Sequence, residues 1–554
     1  MPVISFNKKY VYGLLGSGID EKKLEEQVTK LGFEIESVDS ENISLEVTAN
    51  RLDLLDAVGF ARALKNFMHK SSKFSYEIKN KEPAFSITVD PSVKRIRPFI
   101  SGIAAYGVKM DESALANMIN YTEKLCETYG RNRRKIAIGL HDLDSVKPPM
   151  SYKASGDMSY VPLGNEGAMK FSEVLEGHEK GRQYGSIIKG AKKSYYPALI
   201  DSEGVMSFIP ILNSDRTRIT TATRNVFVDI TGTSEYAVNK IPDLIAASLM
   251  DLGAEVRKVR IDYGKKHIDT PETERRYITI PLSKAEKEIG VEIGYNNIIS
   301  LANKMGYEAA LIGNNIRFSV PEYRLDVIDE QDIIEDIAIG YGYDYINPLS
   351  VFYSQQGSLE ERTKFNRKVV EIMIGLGFSE MTNSYLTNAS TNFEKPCIED
   401  RKEAIRLKDS KTETISMMRT WILPSLLSNL GMSSHERMPQ DIFELDMAFC
   451  VKSGKPVESH RLGCVSINPK SNFNEVKAAV EGLLSALGKE HSISEYRHGS
   501  FIDGRCAEIS IDGKGMGFFG ELHPKVLKNF GIEEPGTAFE LDLGRFYDKL
   551  RAEP

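Results

Sequence analysis

The stretch VPEYRLDVIDEQDIIEDIAIGYGYDYI, Val320 to Ile346, writes two demands onto one short helix. At the helical step of about 100° per residue, Asp329, Asp332, Glu335 and Asp336 gather on one side, while Ile333, Ile334, Ile337, Ala338 and Tyr341 fall on the other. One face is made for burial. The other collects carboxylates, and Asp326 can fold back toward them from the turn that begins at Pro321. Gly340 and Gly342 then stop the helix. Like charges at i, i+3 and i+4 cost roughly 0.2–0.5 kcal/mol per pair. The helix N-terminus offsets part of that cost, and a hard cation would offset more, because Mg²⁺ takes one or two carboxylates together with waters. Spacing alone leaves a solvated acidic face and a metal site both open.

Outward from this helix, 554 residues with 41% hydrophobic content imply about three to five folded domains. A net charge of -7 excludes wholesale wrapping of nucleic acid, which needs many counted Lys and Arg contacts, so any RNA contact is local. The five cysteines, Cys126, Cys397, Cys450, Cys464 and Cys506, are odd in number and form no CxxC pair. That pattern fits reduced thiols better than a disulfide frame or a zinc site. No run approaches a membrane span, and MPVISFNKKYVYGLLG has no long apolar core before a cleavage site. The expectation is a soluble, cytoplasmic protein.

Along the chain, residues 1–85 read as a small α/β unit. A helix over Asp20 to Leu31 is started by the polar cluster from Ser17 and ended by Gly32, and a strand over Ile43 to Thr48 follows. The turn ANRLD, with Arg51 and Asp53 as its internal hydrogen-bonding pair, leads into a helix from Ala57 to Met68. Lys70 to Glu82 reads as a polar linker. Residues 86–270 are rich in short strands: Phe85–Val89, Ile100–Val108, Lys135–Gly139, Tyr196–Ile200, Val205–Ile209 and Asn225–Ile230, closed by a helix from about Ile241 to Leu252. Residues 271–346 hold a strand at Tyr277–Ile280, helices over Ser283–Ile289 and Asn297–Met305, a strand at Asn315–Val320 and the acidic helix. After a polar stretch, Asn347 to Glu361, residues 355–554 form the last unit, in which Phe365, Val369, Ile372, Met373 and Leu376 stripe one helix.

These segments resemble, in order, the B1, B3/B4, B5 and B6/B7 domains of the phenylalanyl-tRNA synthetase β-subunit family, and the short form is most like the archaeal kind. The carriers are TANRLDLL at Thr48–Leu55, GRNRRK at Gly130–Lys135, IGLHDLD at Ile138–Asp144, YPALIDS at Tyr196–Ser202, VMSFIPILN at Val205–Asn213, TRNVFVDITG at Thr223–Gly232 and the acidic helix. The resemblance implies an α+β, multidomain fold: an editing-type B3/B4 domain, a winged-helix-like B5 domain, and a class II synthetase-like antiparallel sheet core lacking catalytic residues. In the last of these Glu521 and His523 stand where a phosphate-holding arginine is wanted. Arg419 is the nearest candidate, with a plainer role in fixing the helix at Pro424. The glycines from Gly513 to Gly520 read as a hairpin turn and strand.

The family's Mg²⁺ ligands recur as an acid, a second six residues on, and two more at nine and ten, which here fall on Asp326, Asp332, Glu335 and Asp336. The last is Asp where the family usually has Glu. The resemblance further implies an α2β2 heterotetramer with an α subunit that joins phenylalanine to tRNA(Phe) with ATP, and hydrolysis of mischarged Tyr-tRNA(Phe) by this chain. A phenyl pocket rejects an added hydroxyl only about a hundredfold, so a second site has to read that hydroxyl. On the strand ending at Thr231, Phe227, Asp229 and Thr231 share a face by two-residue alternation. This makes Asp229 and Thr231 the leading editing candidates, with Ser207 and His141 behind them. The plainer alternative is that Asp229 and Thr231 cap a strand and form a turn, that His141 satisfies a backbone carbonyl, and that Arg131 to Lys135 is a solvated cluster instead of a tRNA contact. Two rival functions remain: a tRNA-binding scaffold without editing, and an autonomous ATP-dependent ligase.

Overall fold

The computed structural model describes residues 3–16, 20–68, 76–188, 195–272, 275–350, 357–410, 412–544 and 546. The chain falls into two compact units, residues 1–350 and 351–554.

In the first unit a three-stranded antiparallel sheet places Asn42–Glu46 between Val3–Asn7 and Glu34–Val38. The helix Glu21–Lys30 packs beside it and is capped by Asp20, whose Oδ1 accepts from Lys23 N at 2.8 Å; Ser17 to Ile19 lie outside the described residues. Arg51 holds Asp53 with two parallel bonds of 2.9 and 2.8 Å, as the turn reading requires. The expected linker from Lys70 does not hold where it is described. Tyr76 and Ile78 are buried, because an aromatic and a β-branched side chain two apart turn one face of this segment inward; residues 70–75 lie outside the described set.

The main sheet runs in the order Leu212–Asn213, Gly204–Phe208, Tyr196–Asp201, Met150–Ser155, Ser86–Val89, Glu255–Asp262, Phe99–Tyr106, Val226–Gly232, Ile136–Asp142, with His267–Thr270 alongside Glu255–Asp262. Ser86–Val89 is parallel to both neighbours, and the other pairings are antiparallel. The helix expected from Ile241 starts earlier, at Glu235, where Ser234 caps it, and runs to Asp251. Pro242 invites a start just before it, yet sits inside the helix. The stretch from Asp262, expected as a separator, turns back as the strand His267–Thr270; residues 273–274 are not described. The third sheet, Arg276–Pro281, Asn315–Val320 and Glu308–Ile312, carries the helices Leu282–Ile289, Tyr295–Lys304 and Glu330–Tyr341. One buried apolar cluster runs from Ile4 to Ile337, so these three sheets share a core.

The second unit is a seven-stranded sheet, antiparallel except where Ser379–Glu380 joins Gln440–Lys452. Glu361–Gly375 and Phe473–Ala486 cover one apolar cluster, and Leu423–Met432 and Pro524–Asn529 another. Of the polar stretch before it, residues 351–356 lie outside the described set. The glycine-rich segment is the hairpin read from sequence. Phe501–Ile511 and Lys514–Leu522 are joined by Asp512 and Gly513, both at positive φ (51° and 73°), the backbone of a two-residue turn.

His498 lies against Phe518, rings 4.7 Å apart, and burial, reinforced by Arg401, lowers its pKa to about 4. A histidine depressed from its ordinary value keeps its full contribution to stability above about pH 6.5 and loses it as the pH falls toward 4. The second unit should therefore weaken over that window by about 3 kcal/mol at most. Urea melts at stepped pH check this, and His498→Gln, which keeps an acceptor for Ser500 N but does not titrate there, should flatten the acid limb.

Candidate functional site

The strand Val226–Gly232 is buried at all seven positions and is paired on both sides. Its register sets Asp229 opposite Gly102 on one neighbour and Gly139 on the other. A Cβ on Gly139 would stand 2.0 Å from Asp229 Oδ2, so glycine is what leaves room for the carboxylate. Asp229 Oδ2 accepts from His141 Nε2 at 3.0 Å, and His141 Nδ1 meets the Thr217 hydroxyl at 2.7 Å. A carboxylate can only accept, so His141 must donate there, leaving Nδ1 for Thr217. Both partners of Asp229 in this relay are fully buried.

Asp229 and Thr231 form part of the wall of a cavity of about 360 Å³, within the size range of small-ligand pockets. Its apolar lining comes from Leu115 and Ile119 of the helix Glu112–Glu127, from Ile138 and Leu140, and from Ile209 and Ile211. Ser207 also reaches the cavity and donates to Asn213 Oδ1 at 2.8 Å. Lys180 and the exposed Arg218 add positive charge at the rim. Arg133, expected in an outward basic run, turns inward: it pairs with Glu123 at 2.7 Å and donates to the carbonyls of Pro210 and Ile211 at 3.2 and 2.9 Å.

Three of the four editing candidates thus reach one cavity, and His141 stands behind Asp229. Phe227 does not form the ring-sized wall expected of it. Its side chain is fully buried and stacks on His141, centroids 5.6 Å apart, which braces the relay from behind. Sequence reading misses Leu115 and Ile119, because it places no helix at Glu112–Glu127, and it misses Arg97, discussed below.

The acidic helix differs more. Asp329 is its cap, and Asp332 Oδ2 accepts from the backbone of Ile328 (2.6 Å) and Asp329 (3.0 Å). Asp336 does not face outward with them. It is buried on Arg324 at 2.6 Å and on the Tyr307 hydroxyl, and Asp326 takes a forked contact from the same guanidinium at 2.9 and 2.7 Å. Position 336 lies three residues from Ile333 and one from Ile337, at the edge of the apolar face, and Arg324 draws it in. Glu335 remains exposed. The four carboxylates therefore do not converge, and two already neutralise a buried cation; among the described residues no group of three or more His, Cys, Asp or Glu is arranged to hold a metal. The set as it stands does not fit a four-carboxylate Mg²⁺ cage.

In the second unit the residues weighed for a phosphate site are engaged within the unit itself. Arg419 is fully buried on Glu444 at 2.7 Å and donates to Met447 O at 2.9 Å. The helix Leu423–Met432, which Arg419 was expected to fix, is instead held by Glu540, which accepts from Ile422 N and Leu423 N at 2.9 and 3.2 Å and pairs with Arg461 at 2.9 Å. Glu521 accepts from Phe473 N at 2.9 Å and pairs with Arg505, and His523 caps the helix at Pro524.

The second unit, a sheet antiparallel but for one edge strand with Arg419 and Arg461 held by Glu444 and Glu540, resembles the core of a class II aminoacyl-tRNA synthetase, in a chain that also carries a polar-floored cavity. Comparison with known proteins narrows this. Residues 349–543 match the model described as phenylalanyl tRNA synthetase beta chain CLM domain, and residues 278–343 match the tRNA synthetase B5 domain. Phenylalanine–tRNA ligase β subunits from Thermococcus kodakarensis and Pyrococcus horikoshii are each 35% identical, over 99% of this chain and 99% and 100% of theirs. That of Methanocaldococcus jannaschii is 35% identical over 98% of this chain and all of its own. A crystal structure of an N-terminal fragment of the Pyrococcus horikoshii β subunit superposes with a TM-score of 0.59 at 34% identity, covering 62% of this chain and all of the fragment. The chain belongs to the phenylalanine–tRNA ligase β-subunit family.

Removing Arg324 would leave two buried carboxylates without their cation. Arg324→Gln should cost about 3–5 kcal/mol, read as a fall in thermal midpoint. Adding Asp336→Asn to that variant should restore part of it; no restoration would show that the three groups are not coupled.

Proposed function

We propose that this chain is the proofreading and assembly half of a phenylalanine–tRNA ligase, partnered by an α subunit that activates phenylalanine with ATP and transfers it to tRNA(Phe). The observation that carries the proofreading reading is the cavity floor, where a carboxylate and a hydroxyl, Asp229 and Thr231, stand side by side beneath an apolar lining. A tyrosyl ring enters against Leu115, Ile119 and Ile211, and its phenol hydroxyl ends at Asp229 and Thr231. The ester to the terminal ribose stays at the rim near Lys180 and Arg218, where positive charge suits an arriving phosphate backbone. Water adds to the tyrosyl carbonyl, the bond to the ribose oxygen breaks, and that oxygen takes up a proton, giving free tyrosine and uncharged tRNA(Phe).

The chemistry belongs to positioning: Asp229 and Thr231 fix the substrate, and Ser207 lines the same wall. The synthetic reaction is assigned to the partner because Arg419 and Arg461 are held by Glu444 and Glu540. A heterotetramer working in the cytoplasm fits this division of labour, and among the described residues no helix is long and apolar enough to cross a membrane. A scaffold without editing does not need a polar-floored cavity.

Tyr-tRNA(Phe) offered to the full-length chain should be deacylated, and Asp229→Ala, Thr231→Val or Gly139→Ala should each slow this on the order of a hundredfold. Stable Tyr-tRNA(Phe) in the presence of the wild-type chain would favour the scaffold. Native mass measurement after co-expression with an α subunit should show two copies of each; amino-acid-dependent pyrophosphate exchange by this chain alone would overturn the assignment to the partner.

A further inference from the structure

Arg97 is one of the largest fully buried side chains of the molecule, and among the described residues no carboxylate pairs with it. Its guanidinium meets the end of the strand that carries the cavity floor. Nε donates to Thr231 Oγ1 at 3.1 Å, Nη2 to Thr231 O at 2.6 Å, and Nη1 to the carbonyls of Arg133 and Arg134 at 2.9 and 3.4 Å. Burial lowers its pKa to about 10, so it remains a cation at neutral pH.

The carbonyls of Arg133 and Arg134 come from an unusual turn. Arg131, Asn132 and Arg133 all take positive φ, 51°, 52° and 65°, a region that costs residues with a Cβ about 1–2 kcal/mol each. Three such residues in a row persist only where the surroundings over-determine them. Here the turn places two carbonyls on Arg97 and the Arg133 side chain on the cavity wall.

Donor and acceptor roles then follow. An arginine has no acceptor, so Thr231 Oγ1 must accept from Arg97, and the hydroxyl proton points elsewhere. Among the described residues no acceptor takes it, and Thr231 borders the cavity. Asp229 is the reverse: it only accepts, Oδ2 is taken by His141, and Oδ1 accepts from none of the described residues. The floor therefore offers one donor and one acceptor. A phenol hydroxyl both donates and accepts, so tyrosine satisfies both groups, whereas phenylalanine leaves two buried polar groups unpaired, which is the strong form of discrimination.

We propose that Arg97 is the positioning residue that fixes the Thr231 hydroxyl as a donor, and that it thereby sets the preference of the cavity for a tyrosyl over a phenylalanyl group. The inference rests on the proofreading reading of the cavity above. Arg97 touches no substrate; it acts through Thr231.

The test compares hydrolysis of Tyr-tRNA(Phe) and Phe-tRNA(Phe) by the full-length chain. Arg97→Lys and Arg97→Gln should each lower the Tyr/Phe ratio of kcat/KM about tenfold or more. The loss should fall mainly in KM, because recognition of the distant hydroxyl is shared by ground and transition states. In a Thr231→Val background Arg97→Lys should cause no further loss. Independent losses that multiply would mean that Arg97 merely supports the fold and would overturn the inference while proofreading stands. A wild-type chain that leaves Tyr-tRNA(Phe) intact overturns both. A measurement free of Arg97 substitutions uses the wild-type chain labelled with ¹⁵N-arginine. The slowly exchanging Nε–H resonance that moves in Thr231→Val should also shift on adding L-tyrosine and stay in place with L-phenylalanine. Absence of such a resonance, or an equal response to both amino acids, would reject the proposal.

Discussion

A carboxylate at the middle of a strand buried at every position is the constraint around which the first unit is arranged. Asp229 cannot stay there uncompensated, since an isolated buried charge is among the costliest groups a protein can hold. The sequence answers from the neighbouring strand Ile136–Asp142. Gly139 gives the carboxylate space, and His141, on the same strand, reaches back to one of its oxygens and is itself held by Thr217. Phe227 then stacks on the imidazole with ring centroids 5.6 Å apart, and Phe85 packs edge-on against Phe227 at 5.3 Å. The relay satisfies one oxygen and leaves the other toward the cavity.

The buried charges away from the cavity are paired with opposite charges of the same fold. Arg324 is matched by Asp326 and Asp336, Arg419 by Glu444, and Glu540 by Arg461 and two backbone amides. Those groups are ion pairs held within the fold, and such pairs fix geometry. Arg419 also leaves Nη2 without a hydrogen bond, 3.9 Å from Asp446, but beside the cavity the open positions, an acceptor on Asp229 and a donor on Thr231, border a space that a ligand can enter. A buried polar group waiting for a partner is the physical mark of a binding site, because a ligand that supplies the partner gains what the empty site lacks.

Much of this was legible in the chain. Two-residue alternation places Asp229 and Thr231 on one face, and both border one cavity with Ser207. Six strands of the main sheet fall within a few residues of where apolar patterning sets them, while Met150–Ser155, Glu255–Asp262, His267–Thr270 and the short Leu212–Asn213 go unread. The helix Glu112–Glu127 also had its signal, an Asp111 cap and Ala114, Met118, Tyr121 and Leu125 at helical steps, although the sequence reading omits it. What periodicity could not supply were contacts decided by distant partners. Asp336 sits on the border between the two faces of its helix, and only a guanidinium twelve residues away assigns it inward. Phe227 belongs by alternation to the face of Asp229, yet the histidine behind it takes up its ring. Arg97 is separated from Thr231 by 134 residues, and nothing in its own neighbourhood marks it.

The turn at Arg131–Arg133 shows why Arg97 and the cavity are one problem. A helix ending at Glu127 could be closed by a single left-handed glycine, and Gly130 stands nearby; but a Cβ on Gly130 would meet Cys126 O at 2.5 Å and Ile136 O at 2.7 Å, so that glycine is used for close approach instead. The left-handed positions pass to three residues with side chains. Their conformational cost, about 1–2 kcal/mol apiece, is of the same order as that of leaving a buried guanidinium without acceptors, whose desolvation amounts to several kcal/mol. The chain therefore tolerates strain in the turn because relaxing it would withdraw the carbonyls of Arg133 and Arg134 from Arg97. With Arg97 loosened, the Thr231 hydroxyl would no longer be held to one role, and the cavity would keep its shape but lose the polarity that distinguishes one aromatic ring from another.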